Sequence, residues 1–320
     1  MSKEYTNCLR GIFAVLVVVH HLYQYSGLFA GTYIGAILQL LGFVSVAMFF
    51  FFSGYGLMFS SEKNDYIEKF FRKRFIPLYC FYVFLIALYS IWTILVDKSI
   101  ALGLVARSFA FGGTIVTNGW YLQATFVAYL IYLFVFKTFK SAKRRVTFFG
   151  VGILLYLFAC VLIGYGITWY QTIPCMVLGM VFCYAKNGID KLLNKYAWLI
   201  FITSGMLFAG CYLLSKIIAV KIMFDVLYSL FFVIAMIALA YILGNTALIN
   251  NKFWALFGKY SLEIYVSHGL FLRFISLGYI KNVYVYILVV IVGTILSSLL
   301  LKKVYQTIIK LFEGGRSKVV

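Results

Sequence analysis

The ionisable side chains that fall inside long apolar runs of the sequence are the first candidates for chemistry. All three histidines do so, together with an arginine and a glutamate: His20, His21, His268, Arg10 and Glu263. An ionisable group is costly in an apolar environment, so each of these positions is a candidate functional residue. Histidine titrates near neutral pH and can act as a general base, whereas a guanidinium stays charged and binds anions.

Arg10 and His21 have a spacing that predicts one shared helix face. They are eleven residues apart, which is about three turns and about 16 Å along a helix axis. The side chains between them on that face are apolar, and His20 points about 100° away. Such a pair could hold an anionic substrate at the guanidinium while its reactive end reaches the imidazole. The structural alternative is that both histidines hydrogen-bond to neighbouring helices and that the arginine extends to the membrane surface.

The composition indicates that these residues belong to a polytopic membrane protein. Of the 320 residues, 64% are hydrophobic, 20% are aromatic and only 12% are charged, whereas a soluble domain carries about a quarter charged residues. The apolar runs are continuous and close to the about 20 residues that span a bilayer, which argues against the alternating pattern of a β-barrel. The net charge of +19 does not indicate a nucleic-acid partner, because the basic residues lie between apolar runs.

Hydropathy predicts an all-α bundle of about ten transmembrane helices in a single domain over residues 1–320. The predicted spans are 10–28, 34–59, 75–96, 118–137, 147–164, 168–185, 196–214, 222–243, 254–275 and 283–301. Pro174 lies inside the sixth span and is expected to kink it. The six cysteines are expected to be apolar packing residues, and no metal-ligand spacing is present.

The distribution of basic residues predicts the orientation in the membrane. With the N-terminus in the cytoplasm, cytoplasmic segments hold 22 of the 28 Lys and Arg residues. Basic residues concentrate in cytoplasmic loops, so the N- and C-termini are both predicted to be cytoplasmic.

Five motifs in chain order resemble those of the family 3 membrane acyltransferases. The first is an Arg and a His separated by ten residues in the first helix, here Arg10 and His21. The others are Phe49–Tyr55 (FFFFSGY), Arg72–Tyr79 (RKRFIPLY), Trp120–Leu122 with Tyr129, and Phe257–His268 (FGKYSLEIYVSH). Three positions depart from that pattern, since Asn7 replaces a common Asp, Phe71 a common Arg and Thr125 a common Glu. The departures suggest a short, membrane-only member.

The resemblance implies transfer of an acyl group, typically acetyl or succinyl, from cytoplasmic acyl-CoA to a hydroxyl of a cell-envelope glycan or lipid-linked sugar. It also implies a location in the bacterial cytoplasmic (inner) membrane. His21 is the expected base, which removes the hydroxyl proton and then protonates the departing thiolate. A covalent acyl-histidine relay is the other route. Donors to the oxyanion are expected among Ser53, Tyr55, Trp120 and Tyr265.

Two further groups of candidates surround this chemistry. Tyr265 and His268 are three residues apart and share a helix face, whereas Glu263 lies about 140° from His268 and either faces the interior or orients His21. Cofactor binding through the CoA phosphates is expected at four basic residues, namely Arg10, Arg72, Lys73 and Arg74. The alternative for these loops is that they reflect only the orientation rule and attract anionic lipid.

Two other classes of function stay open on the sequence. A transporter or flippase for an envelope precursor, sugar or amino acid would also bury Arg10, His21 and His268 along a polar path. The small number of intramembrane acids for ion coupling weakens this alternative. A sensory or scaffold domain without catalysis is the third class. The expected partners are acyl-CoA, the sugar acceptor and membrane lipids, with a second copy of the chain as an open alternative.

Overall fold

The computed structural model describes residues 2–217, 221–244 and 246–313, and throughout these ranges the regular structure is helical, with no strand. The helices are α1 (Lys3–Ser26), α2 (Tyr33–Ser61), α3 (Tyr66–Phe70), α4 (Ile76–Asp97), α5 (Leu102–Ser108), α6 (Trp120–Thr138), α7 (Ala142–Ile163), α8 (Pro174–Tyr184), α9 (Lys186–Ile217), α10 (Lys221–Leu243), α11 (Lys252–Lys259), α12 (Ser261–Ser267) and α13 (Val283–Glu313). A π-helical turn (Phe71–Phe75) joins α3 to α4. Nine helical segments within the described ranges are long and apolar enough to cross a membrane. The all-helical, membrane-spanning class is therefore confirmed.

The chain divides into two compact units. The first comprises Met1–Phe13, Phe43–Tyr66 and Leu130–Ala255, and the second comprises Ala14–Gly42, Ile67–Tyr129 and Leu256–Val320.

In the first unit, α2 and α8 pack with their backbones in close contact. A Cβ atom added at Gly54 would lie 1.8 Å from the Met176 carbonyl oxygen, and one added at Gly179 would lie 2.1 Å from the Phe51 carbonyl oxygen. Only glycine allows two helices to approach this closely, as in other small-residue crossings of membrane helices. The glycine of the Ser-Gly-Tyr motif is thus a packing residue.

In the second unit, α12 is held between α4 and α13. From α4, the Tyr89 hydroxyl donates to Val266 O at 2.7 Å, and Trp92 Nε1 donates to Leu270 O at 2.7 Å. From α13, Ser298 Oγ lies 3.0 Å from Ser267 Oγ. The short helix is therefore fixed by polar contacts on two sides.

The predicted span 254–275 is wrong as a single helix. α11 ends at Lys259, α12 ends at Ser267, and two 3₁₀ turns follow at His268–Leu270 and Leu272–Phe274. The backbone can leave the helical conformation here because side chains of neighbouring helices hydrogen-bond to its carbonyl groups. The Lys302 ammonium donates to Lys259 O, and α4 donates to two further carbonyls, so carbonyls freed from the helical ladder stay hydrogen-bonded. Irregular backbone at membrane depth persists where protein groups satisfy it in this way.

The expectation for Pro174 is also corrected. Pro174 lies in the first turn of α8 instead of kinking a longer helix, and a 3₁₀ turn (Ile167–Trp169) precedes it. A proline in the first turn lacks only an N–H that would have had no helical acceptor. All six cysteines are free thiols, of which four are buried and two, Cys80 and Cys183, are half-buried.

Candidate active site

Two histidines from distant parts of the chain meet in the second unit. The imidazole rings of His21, near the end of α1, and His268, directly after α12, are stacked with centroids 5.1 Å apart and an interplanar angle of 23°. His268 is completely buried at 0% exposure, whereas His21 is half-buried. A ligand can therefore reach His21 more readily than His268.

Asn118 bridges these two imidazoles. Its amide nitrogen Nδ2 lies 3.0 Å from His21 Nε2 and 3.4 Å from His268 Nε2. The residue precedes α6 with φ at +61°, a left-handed conformation that asparagine tolerates better than most residues. Its carbonyl oxygen accepts a hydrogen bond from the Tyr265 hydroxyl at 3.0 Å. We call His21, Asn118 and His268 the bridged histidine pair.

The hydrogen-bond partners assign the protons on the two rings. His21 Nδ1 lies 2.8 Å from Gln24 Oε1, and His268 Nδ1 lies 3.1 Å from the Ile264 carbonyl oxygen. Both partners are acceptors, so each Nδ1 carries the proton and each Nε2 presents a lone pair. The two hydrogens of the Asn118 amide can then be donated one to each ring. Both imidazoles are oriented with a basic nitrogen toward the same amide.

His20 has a different environment from its neighbour. Its Nδ1 donates to Leu38 O at 2.9 Å, and its ring is buried at 6% exposure. A Cβ atom added at Gly42 would lie 2.4 Å from that ring. His20 therefore has the structural role given above as the alternative to a catalytic one: it hydrogen-bonds to a neighbouring helix and joins α1 to the beginning of α2.

Glu263 is fully buried, at 0% exposure, and forms an ion pair with α13. Lys302 Nζ lies 3.2 Å from Glu263 Oε1 and 3.4 Å from Oε2. Because Glu263 and Ser267 are one helical turn apart, the ion pair and the serine contact line up along one face of α12. Glu263 therefore fastens the helix that precedes His268.

Tyr265 lies beside the bridged histidine pair, and Trp120 follows Asn118 along the chain. The Tyr265 ring lies 6.0 Å from the His268 ring, so the predicted shared face is present. The Tyr265 hydroxyl donates its hydrogen bond to Asn118 O, so it helps to hold the asparagine in place. Trp120 is half-buried at the first residue of α6, two residues beyond Asn118.

Three of the four basic residues proposed for the cofactor lie just before the first residue of α4. Arg72, Lys73 and Arg74 are all exposed and occupy the π-helical turn before Pro77. Single π turns inside longer helices are frequent at functional sites.

Three predicted site residues belong to the first unit. Arg10 is exposed on α1, and Ser53 and Tyr55 are half-buried on α2 beside the Gly54 contact. α1 is uninterrupted from Lys3 to Ser26.

Asn118 and Gln24 are the two residues of this site that sequence reasoning missed. The signal for Asn118 is the Asn-Gly dipeptide immediately before the Trp120 motif, which marks a turn with positive φ. The signal for Gln24 is its position three residues after His21 on the same helix face.

Comparison with known protein families identifies the class of the chain. The family model for the acyltransferase domain of family 3 matches residues 3–302. No curated protein and no solved structure matches the chain.

Proposed function

The chain belongs to the family 3 acyltransferases, and from that membership we propose that it transfers an acyl group from cytoplasmic acyl-CoA to a hydroxyl of a cell-envelope glycan or lipid-linked sugar. The coarser statement, a membrane acyltransferase, follows from the family and from the nine apolar helices of the described ranges. Acetyl is the acyl group we propose, and the bacterial cytoplasmic membrane is the proposed location.

The bridged histidine pair is the observation that carries the proposal. Acyl transfer to an alcohol needs a base at the hydroxyl and a donor at the carbonyl oxygen. His21 supplies an Nε2 lone pair whose ring is oriented through Nδ1 by Gln24, the arrangement of a base held by a third group. Asn118 supplies N–H donors directly beside that lone pair. His21 is the base we propose, because His268 is completely buried.

The proposed reaction proceeds by direct transfer. The acceptor hydroxyl replaces the Asn118 amide at His21 Nε2, and the imidazole takes its proton as the oxygen attacks the thioester carbon. The Asn118 amide then donates to the carbonyl oxygen, which carries negative charge in the tetrahedral intermediate. Collapse of the intermediate breaks the carbon–sulfur bond. The imidazolium returns its proton to the CoA thiolate, which leaves an O-ester and free CoA.

The basic residues support the donor half of the proposal. Arg72, Lys73 and Arg74 are exposed and adjacent, and guanidinium groups bind phosphate oxygens through paired hydrogen bonds. We assign these three residues of the second unit to the CoA phosphates. For Arg10, which belongs to the first unit, phosphate binding is proposed from the sequence motif alone.

The test is acyl transfer by the full chain in lipid nanodiscs supplied with radiolabelled acetyl-CoA and an isolated envelope glycan fraction. The expected result is release of free CoA together with label in alkali-labile esters of the glycan. Proteoliposomes in a parallel arm report movement of labelled sugar across the membrane. Sugar movement without thioester cleavage would contradict the proposal and favour the transporter.

A further inference from the structure

The second unit contains a cavity that the proposed reaction does not yet use. Its volume is about 240 Å³, and it lies where α4 ends, beside the segment 99–104 and the 3₁₀ turns that follow α12. The residues that give the lining its chemistry are Trp92, Thr93, Asp97, Ser99, Thr117 and Arg273.

This lining suits a ligand rich in hydroxyl groups. Asp97 and Arg273 form an ion pair, which places a carboxylate acceptor beside guanidinium donors. A hydroxyl both donates and accepts hydrogen bonds, so a polyol can bind the two charged groups at once. Trp92 adds an aromatic body whose indole N–H is already held by Leu270 O.

The cavity is close to the bridged histidine pair along the chain. Thr117 and Gly269 line it. Asn118 directly follows Thr117, and His268 directly precedes Gly269. These two neighbours make the amide–imidazole contact of the bridged histidine pair. A Cβ atom added at Gly269 would lie 2.6 Å from both Thr117 Cβ and the Tyr89 hydroxyl. Gly269 is therefore tightly packed against Thr117 and Tyr89 where the cavity borders these two segments.

The cavity also lies at the far end of α4 from the basic residues assigned to CoA. α4 has 22 residues, a length of about 33 Å, which matches the about 30 Å of hydrocarbon core in a bilayer. Arg74 precedes its first residue and Asp97 is its last. With the orientation predicted from the basic residues, the cavity opens on the side of the membrane that faces the cell envelope.

We propose that this cavity is the acceptor site and that it binds a sugar ring through Asp97 and Arg273. The inference rests on the proposed function, because it assigns the second substrate of the same reaction. It makes the two substrates approach the bridged histidine pair from opposite ends of α4.

Substitutions that fill the cavity test the proposal. Thr93→Phe introduces bulk from α4, and Ala101→Trp introduces it from the segment before α5. Each has a matched control one residue along the chain that does not line the cavity. The controls are Ile94→Phe and Leu102→Trp, at positions that are 48% and 74% exposed.

Sugar binding is measured directly by saturation-transfer difference NMR on the full chain in nanodiscs. The probes are glucose, galactose, N-acetylglucosamine and rhamnose. We expect at least one probe to give a saturation signal that falls about tenfold or more in both filling variants and changes by less than about twofold in both controls. Equal signals in filled and control variants, or no signal from any probe, would overturn the proposal.

The acetyl-transfer assay on the same variants separates this inference from the proposed function. Sugar binding that depends on the cavity, without any acyl transfer by the unaltered chain, would leave the cavity standing as a sugar-binding site and contradict the proposed function. Transfer at the unaltered rate in Thr93→Phe and Ala101→Trp would leave the function standing and refute the cavity. Size-exclusion profiles verify that all four variants are folded.

Discussion

Two substitutions of Asn118 distinguish the contribution of its side-chain amide from that of its left-handed backbone conformation. The amide lies 3.0 Å and 3.4 Å from the two imidazole Nε2 atoms, and in the proposed reaction it donates to the oxyanion. Loss of one such donor lowers kcat by about 10²- to 10³-fold, or about 2.7–4 kcal/mol. Asn118→Gly removes the amide yet accepts the φ of +61° without strain. Asn118→Ala removes the same amide and adds about 1–2 kcal/mol of left-handed backbone strain.

The pair of variants therefore gives two expected results. Both should lose kcat for acetyl transfer by about 10²- to 10³-fold, while only Asn118→Ala should also show a clearly lower Tm. The Tyr265 hydrogen bond is made to the backbone carbonyl of residue 118, so it is available in both variants. Steady-state kinetics in nanodiscs and thermal unfolding in the same lipid provide the two readouts. A kcat for Asn118→Gly within about threefold of the unaltered chain would refute the assigned role.

Three further substitutions address binding and packing. Arg10→Ala should raise the apparent KM for acyl-CoA by about tenfold with little change in kcat, and a fall in kcat at constant KM would contradict phosphate binding. Lys302→Met should lower the free energy of unfolding by about 1–3 kcal/mol, because the buried Glu263 carboxylate loses a charged partner, and an unchanged Tm would show that the ion pair is dispensable. Gly54→Ala should destabilise the chain by about 1–3 kcal/mol through contact with the α8 backbone. Gly56→Ala is its control, since nothing lies within 4 Å of a Cβ atom added there, and equal effects in the two would refute the contact.

The hydropathy of the sequence predicted most of the helices, because each is a long apolar run whose backbone groups hydrogen-bond to one another within the same helix. The predicted span 222–243, for example, corresponds to α10 at Lys221–Leu243. The span 254–275 could not be predicted in this way. Its carbonyls bond to Tyr89, Trp92 and Lys302, and contacts from such distant positions leave no trace in the hydropathy of the segment.

The candidate site shows the same limit. Helical spacing predicted the shared face of Tyr265 and His268 although α12 ends at Ser267, because the C-cap residue His268 still has helical backbone angles. The stacking of His21 on His268 joins residues 247 positions apart, and the Asn118 bridge depends on a loop conformation. The spacing from Arg10 selected His21 over His20, but it could not predict the partners of His20, since the contacts of that ring with Leu38 and Gly42 depend on how α1 packs on α2.

The central claim is that His21, and not the adjacent His20, is the base for acyl transfer. The most direct measurement is the single-turnover rate of acetyl transfer in His21→Ala and in His20→Ala, compared in the same nanodiscs at saturating acetyl-CoA. We expect His21→Ala to lose about 10²- to 10⁴-fold, the usual contribution of a general base. His20→Ala should keep its rate per folded molecule and lose only stability. A rate preserved in His21→Ala, or abolished in His20→Ala alone, would contradict the account.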